Sequence, residues 1–246
     1  MEPQLARRFF QNDYWRLSRN SAVGFMFITP LWIVYEILAF KINNGLLGEL
    51  RTGVDVLIKT LLSKFRIHAG LALVIPAFFL IWFVMQQKKN VGKFIKKPSR
   101  FAIMFFESLL YALFFGLMVG YATTIFFSSG NPGVDNSKIA TLVVHIGSGV
   151  YEETLFRFAV ITLLVIGLQK VFTLHTNLNY IIAILISSLI FAYSHYLEIF
   201  NEPIEIKSFM FRFLAGVAFS ILFILRGVGI TAYTHSLYNI LLMFRQ

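Results

Sequence analysis

Long apolar runs recur along the whole chain, and they constrain its fold more than any other feature. A helix needs about 20 apolar residues to cross the hydrocarbon core of a bilayer. Backbone polar groups in lipid must be hydrogen-bonded within the protein, and these runs lack the alternation of barrel strands. We therefore predict an all-α, polytopic transmembrane bundle of seven or eight spans, folded as a single membrane-embedded domain over residues 1–246. The runs lie at residues 21–40, 68–85, 101–127, 138–170, 178–197, 208–225 and 228–244.

The composition agrees with a multi-pass integral membrane protein. Of the 246 residues, 57% are hydrophobic, and 28 are phenylalanine. The first run is predicted to be a span and not a cleavable signal peptide, because it is long and no small-residue cleavage site follows it. The chain has no cysteine, which excludes disulfides, thiolate metal sites and cysteine nucleophiles. The net charge of +10 indicates loops beside anionic lipid, so we expect membrane lipid as a partner and not nucleic acid.

The distribution of charge predicts a topology. Residues 88–100 carry six positive charges and no acids, so they are expected on the cytoplasmic side together with the arginine-containing N-terminal arm. The loops at 129–138 and 197–207 are then on the opposite side. Residues 51–67 have apolar side chains at helical spacing and charged ones on the other face, which predicts an amphipathic helix lying on the membrane.

Ionisable residues within such a bundle are the first candidates for function. Each costs at least about 2.5 kcal/mol at the bilayer centre when it is unpaired. The candidates are Glu36, Glu107, His145, Glu152, Glu153, Arg157, His195 and His235, with Asn239 as a polar companion.

The stretch YEETLFRF, residues 151–158, places two acids and an arginine in an apolar run. Glu153 and Arg157 are four residues apart, so they share a helix face and can pair, whereas Glu152 is rotated by about 100°. One acid would be anchored, and the other would be available as a base. The structural alternative is that residues 147–149 (GSG) break the helix, so that both acids lie at a helix N-terminus, where the dipole favours them.

Two further polar groups lie on later apolar runs. His195 is late in its run and Glu152 is early in the preceding one, so antiparallel helices would place them at one depth, where an imidazole could orient a water. The structural alternative is a histidine at the membrane interface. His235 and Asn239 lie on one helix face and are suitable donors to an oxyanion, or else bond between helices.

Taken together, Glu-Glu-x-x-x-Arg, Phe-x-x-x-His and His-x-x-x-Asn follow one another on three apolar helices. This ordered set resembles the CPBP intramembrane protease family, which includes the type II CAAX prenyl endopeptidases (the Rce1 group) and the Abi proteins linked to bacteriocin self-immunity. The resemblance covers roughly residues 147–243, the protease-like motif core. The matching residues are Glu152, Glu153, Arg157, Phe191, His195, His235 and Asn239.

The resemblance implies a glutamate-dependent endopeptidase that cleaves a peptide bond near the membrane, close to the C-terminus of a lipidated or hydrophobic substrate. Glu152 would be the general base and His195 its partner in activating water. His235 and Asn239 would stabilise the tetrahedral oxyanion. Glu153, Arg157 and Phe191 would support the site. The chain departs from the family at Phe158, where many members have glycine, and this departure bears on substrate class.

Other classes of function stay open. No cofactor is expected, although Glu152, His195 and His235 could hold Zn²⁺ with a water; the sequence lacks His-Glu-x-x-His, and Arg157 would oppose a dication. A serine mechanism lacks its Gly-x-Ser-x-Gly elbow. A non-catalytic membrane partner, such as a bacteriocin-immunity or scaffold protein, would carry the same motifs. A proton-coupled transporter would use Glu36, Glu107, Glu152 and His195, but the sequence shows no internal repeat.

Overall fold

Helices make up nearly all of the part of the chain that the computed structural model describes, namely residues 13–43, 50–66, 71–126, 138–171, 176–196 and 205–244. Residues 129–137 and most of 197–207, where two loops are predicted, lie outside this part. The elements are α1 (Asp13–Ser18), α2 (Ser21–Asn43), α3 (Gly53–Lys64), α4 (Leu71–Gln86), α5 (Lys88–Ile95), α6 (Ser99–Phe126), α7 (Lys138–Gly147), a π-helical segment (Ser148–Ile161), α8 (Thr162–Val171), α9 (Thr176–Ser194), α10 (Ile206–Arg226) and α11 (Val228–Met243).

Five helices in the described part are long and apolar enough to cross a membrane, which confirms an all-α, multi-pass bundle. They are Ser21–Asn43, Ser99–Met118, Lys138–Val171, Thr176–Ser194 and Ile206–Arg226. Two further predicted spans correspond to α4 and α11, each of 16 residues. Because both are shorter than the usual span, the predicted total of seven or eight spans is not confirmed.

The short helix α11 is enclosed by other helices of the bundle. It packs against α2, α6, α7, α10 and the π-helical segment. Gly229 faces Gly24 so closely that a Cβ atom on Gly229 would lie 2.7 Å from the Gly24 Cα atom. Since protein covers most of its surface, α11 can carry polar side chains such as His235 in the interior of the bundle.

The N-terminal helix and the basic segment lie at the same end of the bundle. α1 packs against α5, and the Asn20 side chain bonds to Gln87. Arg19 donates a hydrogen bond to the Ile224 carbonyl, 2.9 Å away, at the α10–α11 turn. This agrees with the predicted placement of the N-terminal arm and residues 88–100 on one side.

An ion pair at this end of the bundle connects α1, α6 and α10. Arg226 on α10 bonds to Glu107 on α6, with 2.8 Å between Nη2 and Oε2. The Tyr14 hydroxyl on α1 donates to the same carboxylate at 2.6 Å. Burial and this hydrogen bond raise the pKa of Tyr14, so its hydroxyl stays protonated and remains a donor. The negative charge of Glu107 is balanced by the guanidinium group of Arg226.

Residues 51–67 contain the predicted helix, α3, but its orientation is opposite to that of a helix with its charged face in water. Asp55 is 0% exposed, and Arg51 and Lys59 are buried as well. Leu61 is 47% exposed and Phe65 is 75% exposed. The charged face turns inward because Arg51 and Asp55 find partners on α2 there. Of the apolar face, Val54 and Ile58 pack in the core, and the exposed side chains lie toward the C-terminal end.

Candidate active site

The helix that carries the two glutamates is continuous from Lys138 to Val171. Gly147 has helical backbone angles (φ −60°, ψ −41°), so the alternative of a helix break at residues 147–149 is wrong. Both glutamates lie well inside the helix and not at its N-terminus. The glycines serve close packing instead: a Cβ atom on Gly149 would lie 2.0 Å from the Ser236 Oγ atom on α11.

The whole Glu-Glu-x-x-x-Arg motif lies in the π-helical segment, Ser148–Ile161. A π-helix bonds each carbonyl to the amide five residues on, and such geometry is rare and is found often at functional sites. Single turns are the usual form, so a segment of 14 residues is long. The wider helix carries Glu152 and Glu153 at its second turn, between α9 and α11.

Glu153 is the centre of a buried ionic cluster. Its Oε2 atom lies 3.3 Å from Nε of Arg157, which is the i, i+4 pair expected from the sequence. Its Oε1 atom lies 2.7 Å from Nδ1 of His235 on α11. A carboxylate can only accept hydrogen bonds, so the His235 Nδ1–H donates to it. Glu153 therefore joins two helices and is 0% exposed.

Aromatic rings hold the Arg157 guanidinium in place. Its central carbon lies 4.2 Å from the centroid of the Phe191 ring and 5.8 Å from that of Phe219. Phe219 also stacks on the His235 imidazole, with 4.6 Å between centroids. No sequence pattern marks Phe219, which is one of 28 phenylalanines and belongs to none of the motifs.

Glu152 has a different environment from its neighbour. It is buried, with 5% of its surface exposed. In the described part of the chain no side chain forms a hydrogen bond or an ion pair with its carboxylate. The structure thus separates the two acids: Glu153 is fixed by two cationic or donor groups, and Glu152 is left for other partners.

His195 stands at the end of α9, next to Phe191. Its Nδ1–H donates to the Phe191 carbonyl at 2.9 Å, which in a neutral ring makes Nε2 an acceptor. The Ser187 hydroxyl donates to the Phe156 carbonyl at 2.6 Å, so these two residues are level. Four residues further along α9, the Phe191 ring packs on the Phe156 ring with 5.4 Å between centroids, and His195 lies about one helical turn beyond Phe191.

Two more polar residues lie beside this cluster. Asn239 is half-buried, one turn after His235 on α11. His145 belongs to none of the motifs. The Ser236 hydroxyl donates to the Ile146 carbonyl at 3.2 Å, which brings the neighbouring residues His145 and His235 together.

The donor set for a metal ion is not assembled among the residues that the structure describes. In those ranges no three His, Asp or Glu side chains converge as a metal site would require. Two of the four residues suggested for a proton path, Glu36 and Glu107, lie in separate ion pairs with Arg51 and Arg226.

Comparison with known proteins bears on the C-terminal part of the chain. Residues 135–241 match the family described as Type II CAAX prenyl endopeptidase Rce1-like. The match includes all three motifs and confirms the resemblance seen in the sequence. No curated protein and no solved structure matches the chain. Residues 135–241, somewhat less than half of the chain, are thus similar to the Rce1-like family of type II CAAX prenyl endopeptidases.

Proposed function

We propose that the protein is a glutamate-dependent, metal-independent endopeptidase that hydrolyses a peptide bond near the C-terminus of a lipidated or hydrophobic peptide in the membrane. The similarity of residues 135–241 to this family supports intramembrane protease activity in general. The observation that carries the more specific proposal is the contrast between two adjacent buried acids. Glu153 forms an ion pair with Arg157 and a hydrogen bond with His235, whereas Glu152 forms neither with any described side chain.

Glu152 is the proposed general base. Its carboxylate removes a proton from a water molecule while the water oxygen attacks the scissile carbonyl carbon. The tetrahedral intermediate then expels the amine, which receives the proton that Glu152 carries, and the carbon–nitrogen bond breaks. Burial favours this role, since a desolvated carboxylate interacts more strongly with the water beside it.

His195 is the proposed partner in orienting the water. With Nδ1–H bonded to the Phe191 carbonyl, Nε2 of a neutral ring can accept a hydrogen bond from water. His195 lies about one turn beyond Phe191, which packs on the helix that carries Glu152, so we place the water between the His195 and Glu152 side chains. This arrangement needs no covalent intermediate.

His235 and Asn239 are the proposed donors to the oxyanion. The His235 Nδ1–H is already bonded to Glu153, so only Nε2 remains for the substrate. To donate from Nε2 as well, the ring must be an imidazolium ion. The ionised Glu153 beside it would balance that charge, and the Asn239 amide supplies a second, neutral donor.

The metal-independent form of the proposal rests on charge. Arg157 is buried and ion-paired to Glu153, so a dication at the acids would add a second positive charge to the cluster. A metal would also have to compete with Arg157 and His235 for Glu153. Water activation by a carboxylate alone avoids both costs.

The test is cleavage of a panel of membrane-anchored peptides by the purified full-length protein, with Glu152→Gln in parallel. Each prenylated peptide is paired with the same sequence without the prenyl group. We expect the wild type to cleave at least one peptide, the variant to cleave none, and a chelator to have no effect. Loss of cleavage with chelator would show a metal enzyme. No cleavage of any peptide would favour the non-catalytic membrane partner.

A further inference from the structure

A second charged cluster lies next to the motif helix, outside the residues that match the family. It consists of Glu36 on α2 and of Arg51, Asp55 and Lys59 at α3, and we name it the α3 charge cluster. Arg51 Nη1 lies 3.0 Å from Glu36 Oε2 and 2.7 Å from Asp55 Oδ2. Lys59 Nζ lies 2.9 Å from Asp55. Two positive and two negative charges therefore balance.

Arg51, Asp55 and Lys59 of this cluster are buried, and Glu36 is partly buried. Burial opposes the charge on Arg51, but hydrogen bonds to Asp55 and Glu36 outweigh it and raise its pKa above the ordinary value. Buried ion pairs are weak sources of stability, because desolvation of both partners offsets their attraction. A four-charge cluster at this depth therefore calls for a reason other than stability.

The cluster reaches the motif helix through one hydroxyl group. Tyr151 immediately precedes Glu152, and its hydroxyl donates to Glu36 Oε1 at 2.6 Å. The same hydroxyl accepts a hydrogen bond from the Trp32 indole N–H at 3.1 Å. One carboxylate oxygen of Glu36 thus accepts a hydrogen bond from Tyr151, and the other accepts one from Arg51.

A second contact lies at the start of the π-helical segment. The Thr52 and Ser148 hydroxyls are 3.5 Å apart, and Ser148 is the first residue of that segment. Beside them, a Cβ atom on Gly147 would lie 2.4 Å from the Tyr35 ring. Residues of α2 and the residue just before α3 therefore contact residues 147–151, the turn that immediately precedes Glu152.

We infer that the α3 charge cluster positions the catalytic base: Glu36, acting through the Tyr151 hydroxyl, holds the first π-helical turn and so fixes the direction of the Glu152 carboxylate. This inference rests on the proposed function. Glu36 and Tyr151 are positioning residues, since neither needs to touch the substrate. The inference also gives a role to the part of the chain before residue 135.

The chain contains its own matched control. Tyr14 donates to Glu107 at 2.6 Å, and Glu107 pairs with Arg226, so the Tyr–Glu–Arg chemistry is the same at the opposite end of α2. Tyr151→Phe and Tyr14→Phe each remove one hydroxyl oxygen from such an arrangement. Only the first is adjacent to Glu152. Trp32→Phe removes the other hydrogen bond to Tyr151 and serves as a milder second variant.

The experiment measures kcat, KM and backbone amide exchange for the full-length wild type and the three variants. For Tyr151→Phe we expect kcat to fall roughly 10- to 100-fold with KM unchanged, because small misplacements of a catalytic group slow the reaction by such factors. The kcat of Trp32→Phe should fall less, and the kcat of Tyr14→Phe should equal that of the wild type. The rate of amide exchange at residues 147–157 should rise in Tyr151→Phe and stay unchanged in Tyr14→Phe.

The outcomes separate this inference from the proposed function. Equal kcat and equal exchange in Tyr151→Phe and Tyr14→Phe would overturn the positioning role and leave the protease proposal intact. If the wild type cleaves nothing, the protease proposal fails and the positioning of a catalytic base fails with it; exchange then tests whether Glu36 and Tyr151 hold the first π-helical turn. Exchange that rises at residues 147–157 supports the role, and unchanged exchange overturns it.

Discussion

At the scale of single residues, two adjacent glutamates differ because of what they touch. The sequence predicts the Glu153–Arg157 pair, since a spacing of four on a helix is a local property. It does not predict the bond from His235 to Glu153, because those residues are 82 positions apart and meet only through the docking of α11. The same holds for Phe219, which joins the cluster from α10.

Removal of Arg157 should destabilise the protein. Arg157→Ala leaves Glu153 as a buried carboxylate without its cation, which costs about 3–5 kcal/mol for a buried pair. The control is Arg16→Ala, which breaks an exposed pair with Asp13 and should leave the melting temperature nearly unchanged, because water screens such pairs. Thermal unfolding in detergent measures both. Similar melting temperatures for the two variants would contradict the structural role of the buried pair.

At the scale of elements, Gly147 and Gly149 have a packing role that a local sequence pattern does not reveal. Residues 147–149 resemble a helix break, yet the backbone there is helical. The absence of side chains at Gly147 and Gly149 permits close contacts with α2 and α11, and such contacts leave no mark in a local pattern. The π-helical form of residues 148–161 also has no signal in the sequence, because it depends on packing around the helix.

The close approach at Gly149 gives a prediction with a control on the same continuous helix. Gly149→Ala would place Cβ 2.0 Å from Ser236 Oγ and 2.6 Å from the Ala232 carbonyl oxygen, so the helices must separate. Gly167→Ala meets nothing within 4 Å and should stabilise α8 by up to about 1 kcal/mol. We expect a lower melting temperature for the first variant and an equal or higher one for the second. A drop in both would show that the contact at Gly149 is not specific.

At the scale of the whole molecule, the positions of the long helices follow from composition and length. Five of the predicted spans appear as helices of sufficient length. The total number of spans does not follow, because α4 and α11 are short and α11 is enclosed by protein. The orientation of α3 could not be predicted either, since the partners of its charged face, Glu36 and Tyr35, come from α2.

The Glu107–Arg226 pair should affect stability, whereas the Glu36–Tyr151 contact should affect catalysis. Arg226→Ala leaves Glu107 without its cation and releases the contact between α6 and α10, so we expect a loss of about 3–5 kcal/mol. The folded fraction should keep the wild-type kcat, because this pair lies away from Glu152. Melting temperature and kcat per folded molecule test this expectation. A fall in kcat as large as that of Tyr151→Phe would contradict the separation.

The central claim is that Glu152 does chemistry and Glu153 holds the site together. The most direct measurement compares Glu152→Gln with Glu153→Gln, recording melting temperature and cleavage rate for each. The account predicts that Glu152→Gln melts like the wild type and does not cleave, whereas Glu153→Gln melts at a clearly lower temperature. Cleavage that survives in Glu152→Gln, or an equal loss of melting temperature in both variants, would contradict it.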